Sequence, residues 1–253
     1  MSEGTSIGRR YLSVASTLRD MLDQGRWQAG ERLPAERQLS EELDVPRATV
    51  REALIVLEVE GRVEVRQMSG VYALPQAASA ITASVPPPVQ DIGPFELLRA
   101  RQVVESAIAA AAALTVSDSQ IADMGRALAL EEADIAEGRG SYEGDAAFHR
   151  LVAEATQNEA LVATSQGLWS IRSTSPLWAR IHLRIFDQTY RRQWSHDHRE
   201  ILRGLERRDP ESARAAMWRH LGNVSETLMQ LSDPDISVPA KAGSRRRVLR
   251  SVP

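Results

Sequence analysis

PAERQLSEELDVPRATVREALIVLEVEGRVEVRQMSGVYA, residues 34–73, decides the fold of this chain. Leu39 and Leu43 lie one helical turn apart, and Asp44-Val45-Pro46 then ends the helix, because a residue before proline is pushed out of the α region. Val50, Ala53, Leu54 and Leu57 recur at i, i+3, i+4 and i+7, which predicts a second helix with one apolar stripe. Arg47, Thr49 and Arg51 fall off that stripe near the start of the helix. Gly61 tolerates a left-handed cap and ends it. Val63 to Arg66 alternates as a strand, Gln67 to Gly70 turns, and Val71-Tyr72-Ala73 returns. Upstream, Val14, Leu18, Met21 and Leu22 form the stripe of a first helix that closes a small core. Helix, turn, helix and two-stranded wing is the layout that sets a second helix into a DNA major groove. Any one signal also fits a compact helical domain with solvated arginines; turn, stripe, arginines and wing together favour DNA.

The chain has 253 residues, enough for two domains each with its own core. Its formal net charge is −3, and residues 1–74 carry ten arginines against twelve Asp or Glu. Bulk charge therefore does not attract nucleic acid; clustered arginines, and two copies binding together, must supply the affinity. Cysteine is absent, which excludes disulfides and thiolate metal sites. No uninterrupted apolar run is long enough to span a membrane, and Met1 to Arg10 lacks the apolar core of a signal peptide. A cytoplasmic location is the expectation.

Residues 75–94 hold five prolines among small residues and read as a linker. From Phe95 the periodicity predicts helices near 95–115, 118–137, 141–156, 159–172, 176–187, 189–208 and 210–231. Ser117 with Gln120 has the pattern of a capping box, and Asp209-Pro210 that of an N-cap followed by a first-turn proline. Short connections between helices imply an antiparallel bundle. The expected fold is mainly α: a winged helix-turn-helix domain over 1–74, a linker over 75–94, an all-helical metal- and effector-binding domain over 95–232, and a flexible basic tail over 233–253. Arg245, Arg246, Arg247 and Arg250 in that tail are available to DNA phosphate, or simply to solvent.

Asp145 and His149, four residues apart, project from one face of a helix, while His198 and His220 lie on two later helices. One carboxylate and three imidazoles suit a divalent ion of the Zn, Ni or Mn kind. Spacing alone does not show that distant helices converge, so incidental histidines remain an alternative at this point. His196 lies two residues before His198, about 200° round the helix, and faces away.

Three stretches resemble the DNA-binding domain of GntR-type bacterial regulators: Gly30 to Arg37, Thr49 to Leu54, and Leu57 to Gly61. The resemblance implies DNA contacts at Arg37, Arg47 and Arg51, and a wing tip at Gly70 that approaches the minor groove. Pro46 stands where the family usually has a hydroxyl residue, and Met68 replaces a common wing glycine. Residues 95–231 are similar to the sensor domain of the fatty-acid-regulator (FCD) branch. Asp145, His149, His198 and His220 match that branch's metal ligands, which implies a divalent metal, zinc first. Phe95 to Ser106, Ala155 to Asn158, Leu168 to Arg172, Pro176 to Trp178 and Ala216 to Leu221 look like hexuronate-utilisation repressors.

The implied function is a homodimeric repressor that leaves a palindromic double-stranded operator when a small carboxylate, a hexuronate or its keto isomer, binds. An arginine fork grips a carboxylate with two parallel hydrogen bonds, which makes Arg101 and Arg172 candidates. Trp169, Trp178 and Trp218 are candidate walls for a hydroxylated ring, with His182 a hydroxyl partner. Core packing is the alternative for each tryptophan, and an ion pair with Glu105 for Arg101. Two other readings stand beside this one: another small carboxylic acid as effector, or a metal-dependent enzyme fused to a DNA-binding domain. The second lacks an HExxH pattern, a phosphate-cradling glycine loop or an obvious nucleophile.

Overall fold

The computed structural model describes residues 10–75, 92–139, 141–182 and 190–234, with the side chain of His182 outside them. Helix α1 (Arg10–Asp23) buries Tyr11, Val14, Ala15 and Leu18. Helix α2 (Glu36–Leu43) stops at Asp44, whose φ of 49° is left-handed, just ahead of Val45-Pro46. Helix α3 (Arg47–Val59) follows, with the stripe Val50, Ala53, Leu54 and Leu57 fully buried. Each buried leucine is worth about 2 kcal/mol, which is what lets so small a domain close a core. Strands β1 (Val63–Arg66) and β2 (Gly70–Ala73) pair antiparallel, Val63 opposite Ala73 and Arg66 opposite Gly70.

The single stripe understates how α3 is packed. Thr49, Arg51, Glu52, Ile55 and Val56 are buried as well. α1 covers one side, and helices of the second domain cover the other. The expected wing tip also shifts. Gly70 is buried at the start of β2 with φ of 109°, and a Cβ there would meet the Arg32 guanidinium at 2.5 Å. The exposed tip residue is Met68, 65% exposed and left-handed at φ 55°.

The second domain comprises α4 (Pro94–Thr115), α5 (Asp118–Ala136), α6 (Glu143–Glu154), α7 (Glu159–Thr174), α8 (Pro176–His182), α9 (Tyr190–Glu206) and α10 (Pro210–Leu231). Ser117 and Gln120 form the expected capping box, and Asp209 caps α10 by accepting from Glu211 and Ser212. Ala109, Ala112 and Ala113 of α4 are fully buried, small enough for α10 to lie close along it. α9 packs between α10 and α5, and α6 packs on α5. That last contact depends on Gly144: a Cβ there would sit 2.6 Å from Glu131 N and 2.8 Å from the Ala127 carbonyl. α7 lies at the edge, with Ser165 its one buried residue. The linker between 76 and 91, the end of the helix expected over 176–187, and the tail with Arg245, Arg246, Arg247 and Arg250 fall outside the described residues. Among the described residues no helix is long and apolar enough to cross a membrane.

Candidate metal centre and nucleic-acid interface

α6 presents Asp145 and His149 on one face, α9 presents His198 and α10 presents His220, and one ligand atom from each lies within 4.8 Å of the others. All four residues are buried. Asp145 Oδ1 is 3.5 Å from His149 Nε2 and 3.6 Å from His198 Nε2. His198 Nε2 lies 3.1 Å from His220 Nε2. Among the described residues His149 Nε2 has no hydrogen-bond partner. Three Nε2 atoms and one carboxylate oxygen thus face one point. His196 points elsewhere, exposed and 3.9 Å from Glu200.

Behind the rings stand carboxylates that sequence reasoning did not assign to the metal. Glu105 Oε2 is 2.5 Å from His149 Nδ1 and Glu131 Oε2 is 2.9 Å from His198 Nδ1. Asp197 faces His220 Nδ1 more loosely, at 3.8 Å, while accepting from Gln193 and Asn223. A carboxylate at Nδ1 holds the proton there and leaves the Nε2 lone pair for a cation. Burial works against ionisation of Glu105, but Arg101 and His149 outweigh it and hold the carboxyl well below its usual range. Asp145 likewise sits low despite burial, because of His149 and Arg172. Burial, then the charge of His198, pushes His220 down to about 3. Burial opposes the charge on His198 too, yet Glu131 raises it above its ordinary value. No pattern in the sequence marks these carboxylates, since 44 and 67 residues separate Glu105 and Glu131 from their imidazoles.

The candidate effector residues divide. Arg101 is buried and donates to Glu105 through Nε at 2.7 Å, the ion-pair alternative, while stacking 4.2 Å from the Trp169 ring. Arg172 makes no hydrogen bond among the described residues; its Nη2 lies 3.9 Å from Asp145 Oδ2. Its guanidinium is surrounded by Trp169, Trp178 and Tyr142 at 4.9, 5.1 and 5.2 Å. Burial, with Arg101 nearby, lowers its pKa against the pull of Asp145. Trp169 packs 5.1 Å from His149, and its Nε1–H is buried without an acceptor among the described residues. Tyr142 also donates or accepts across 2.7 Å to Tyr190, two phenols the sequence did not single out. Trp218 corrects the expectation: it is 46% exposed, because it precedes His220 by two positions on α10 and so faces the other way. The side chain of His182 lies outside the described residues. A groove of about 520 Å³ between α6 and α7 meets this centre at Trp169.

On the winged domain, Arg37 is 74% exposed beside Glu41, and Arg47 is 43% exposed. Thr49 is buried. Arg51, expected at base edges and phosphates, is fully buried in this arrangement, because Glu36 and the end of α10 enclose its guanidinium.

A winged helix joined to a helical bundle with buried donor atoms around one point defines a sensor-type, DNA-binding transcription regulator. The sequence pattern of bacterial regulatory proteins of the gntR family matches residues 10–73, and that of the FCD domain matches residues 96–223. The chain belongs to the GntR family, with an FCD domain as its helical half, and is a transcription regulator rather than an enzyme. It is 44% identical over 238 residues to the Uxu operon transcriptional regulator of Escherichia coli strain K12, covering 93% of each chain. It is 40% identical over 246 residues to the Exu regulon transcriptional regulator of the same strain, covering 94% of this chain and 92% of that one. A solved structure, E. coli McbR/YncC, has 19% identity and a TM-score of 0.48, covering 88% of this chain and 99% of that one.

Proposed function

We propose that the chain is a homodimeric, metal-dependent repressor of sugar-acid catabolism, acting in the cytoplasm and released from its operator by a hexuronate or the keto isomer of one. The convergence of three Nε2 atoms and Asp145 Oδ1 beside the largely buried Arg172, whose guanidinium makes no hydrogen bond among the described residues and lies 3.9 Å from Asp145 Oδ2, carries this reading. The donor set fits a divalent cation: among the described residues His149 Nε2 is buried without a hydrogen-bond partner, and His198 Nε2 and His220 Nε2 face each other 3.1 Å apart. Zinc is the first choice, nickel or manganese the others. When bound, such an ion offers a coordination position to an anionic oxygen. Asp145, His149, His198 and His220 hold it, and Glu105, Glu131 and Asp197 orient the imidazoles. Arg172, held only loosely by Asp145, grips the effector carboxylate with its fork, whereas Arg101, committed to Glu105, positions His149. Trp169 and Trp178 wall the sugar, the Trp169 Nε1–H seeks a hydroxyl acceptor, and His182 keeps its place as a hydroxyl partner. Two winged domains read a two-fold operator through Arg37, Arg47, Thr49 and Arg51, with the backbone of the wing near Gly70 in the minor groove.

The test uses a duplex that the wild-type protein selects from a random pool. Zinc-loaded protein is expected to bind it as a dimer and to release it in millimolar glucuronate, galacturonate or their keto isomers. Arg172→Gln should keep zinc and duplex while losing the release. Unchanged duplex affinity with every hexuronate would remove this effector class, and no stoichiometric zinc would remove the metal.

A further inference from the structure

Two adjacent residues of α3 tie it to the last and the first helix of the sensor bundle, at the end where the antiparallel α4 and α10 begin and finish. Arg51 donates from Nε to Glu36 at 2.8 and 2.9 Å and from Nη2 to the same carboxylate. Its Nη1 donates to the Met229 carbonyl and, at 3.0 Å, to Ser232 Oγ; its Nη2 lies 3.3 Å from Asp233 Oδ2. That same Asp233 oxygen accepts from Arg47 Nη2 at 2.6 Å. Glu52, next in sequence, accepts from the backbone N–H of Phe95 and Glu96 at 2.8 and 3.0 Å, in the first turn of α4. The recognition helix is therefore held by the end of the last sensor helix and by the start of the first.

We infer that the Ser232-Asp233 cap of α10 is an internal competitor of operator DNA for Arg51 and Arg47. This rests on the reading of α3 as the DNA-contacting helix. A guanidinium has five N–H donors in its plane, and this one is engaged along its Nε/Nη2 edge by Glu36 and at Nη1 by Met229 and Ser232. Glu36 belongs to the winged domain and can stay with Arg51 on DNA; the carbonyl of Met229, Ser232 and Asp233 cannot, because a phosphate must take their place. The Asp233 carboxylate and the negative end of the α10 dipole also sit where a polyanion has to approach. α10 is the helix that carries His220, nine residues before Met229, or about 13 Å along its axis. α4 carries Glu105, the partner of His149. A shift of these two helices at the chamber thus reaches the clasp directly, as the far end of a rigid rod.

Asp233→Asn in the full chain is expected to bind the selected duplex about fivefold more tightly without effector, the worth of one half-exposed ion pair, at unchanged zinc content. Asp233→Glu, which restores the charge, should return to wild-type affinity. Equal or weaker binding by Asp233→Asn, with wild-type helix content, would overturn the inference. Should that variant not fold, amide exchange in the wild type decides: duplex is expected to speed exchange over residues 228–233, and unchanged or slower exchange there refutes the competition. Both measurements omit the effector, so a failure of the hexuronate reading leaves them unaffected.

Discussion

Glu131 stands 2.9 Å from His198 Nδ1, where its charge favours a proton on that nitrogen, and donates no ligand atom to the cluster. Glu131→Gln leaves all four ligands in place and removes the charge that orients one of them. Zinc affinity is expected to fall about 10–100-fold, measured by competition with a coloured chelator. Wild-type affinity would mean that packing alone positions the ring. Glu52 makes a different prediction. Burial pushes it up to about 7 against the two backbone hydrogen bonds it accepts, above its ordinary 4.5. The folded chain then keeps a proton that the unfolded chain has released between those values. Stability from this residue is present below pH 4.5 and is lost as pH rises through 7. Glu52→Gln should therefore gain on the wild type in thermal midpoint as pH rises from about 5 to 8. Parallel profiles would show that the carboxyl is already ionised throughout.

Gly144 illustrates how one helix is allowed against another. The absent Cβ lets α6 approach α5, so that Asp145 reaches the cluster from the next position. Gly144→Ala is expected to cost about 1–3 kcal/mol by overpacking and to lower zinc occupancy together with the melting temperature. A variant as stable as the wild type, with full zinc, would show that the contact yields without moving α6. Most helices were legible because their signals are local. The period of the apolar residues, the Ser117 box, the Asp209-Pro210 cap and the Asp44 break each act within a few residues. The burial of α3 was not, since the residues enclosing Arg51 and Glu52 come from α2, the end of α10 and the start of α4. An exposed arginine and one closed inside a clasp leave the same mark in a sequence.

Across the whole molecule, chamber and recognition helix share α4 and α10, so occupancy of one site is expected to alter the other. If effector weakens operator binding by some factor, operator must weaken effector binding by that same factor. Calorimetric titration of a hexuronate into zinc-loaded protein, with and without saturating duplex, checks the equality. Unequal factors would mean that a further species, such as a change in assembly, enters the equilibrium. Zinc removal by chelation should lower the thermal midpoint of the wild type and leave His198→Ala unmoved, because only a competent site is stabilised by ligand.

The order of residues was enough to specify the winged helix, the bundle, and the four donors Asp145, His149, His198 and His220, because helical period and residue chemistry are properties of short stretches. It did not reveal Glu105, Glu131 and Asp197 behind the imidazoles, the outward turn of Trp218, the difference between Arg101, hydrogen-bonded to Glu105, and Arg172, only loosely approached by Asp145, or the closure over Arg51. Those follow from how separate helices are brought into register, and distance in space between residues far apart in the chain is decided by packing.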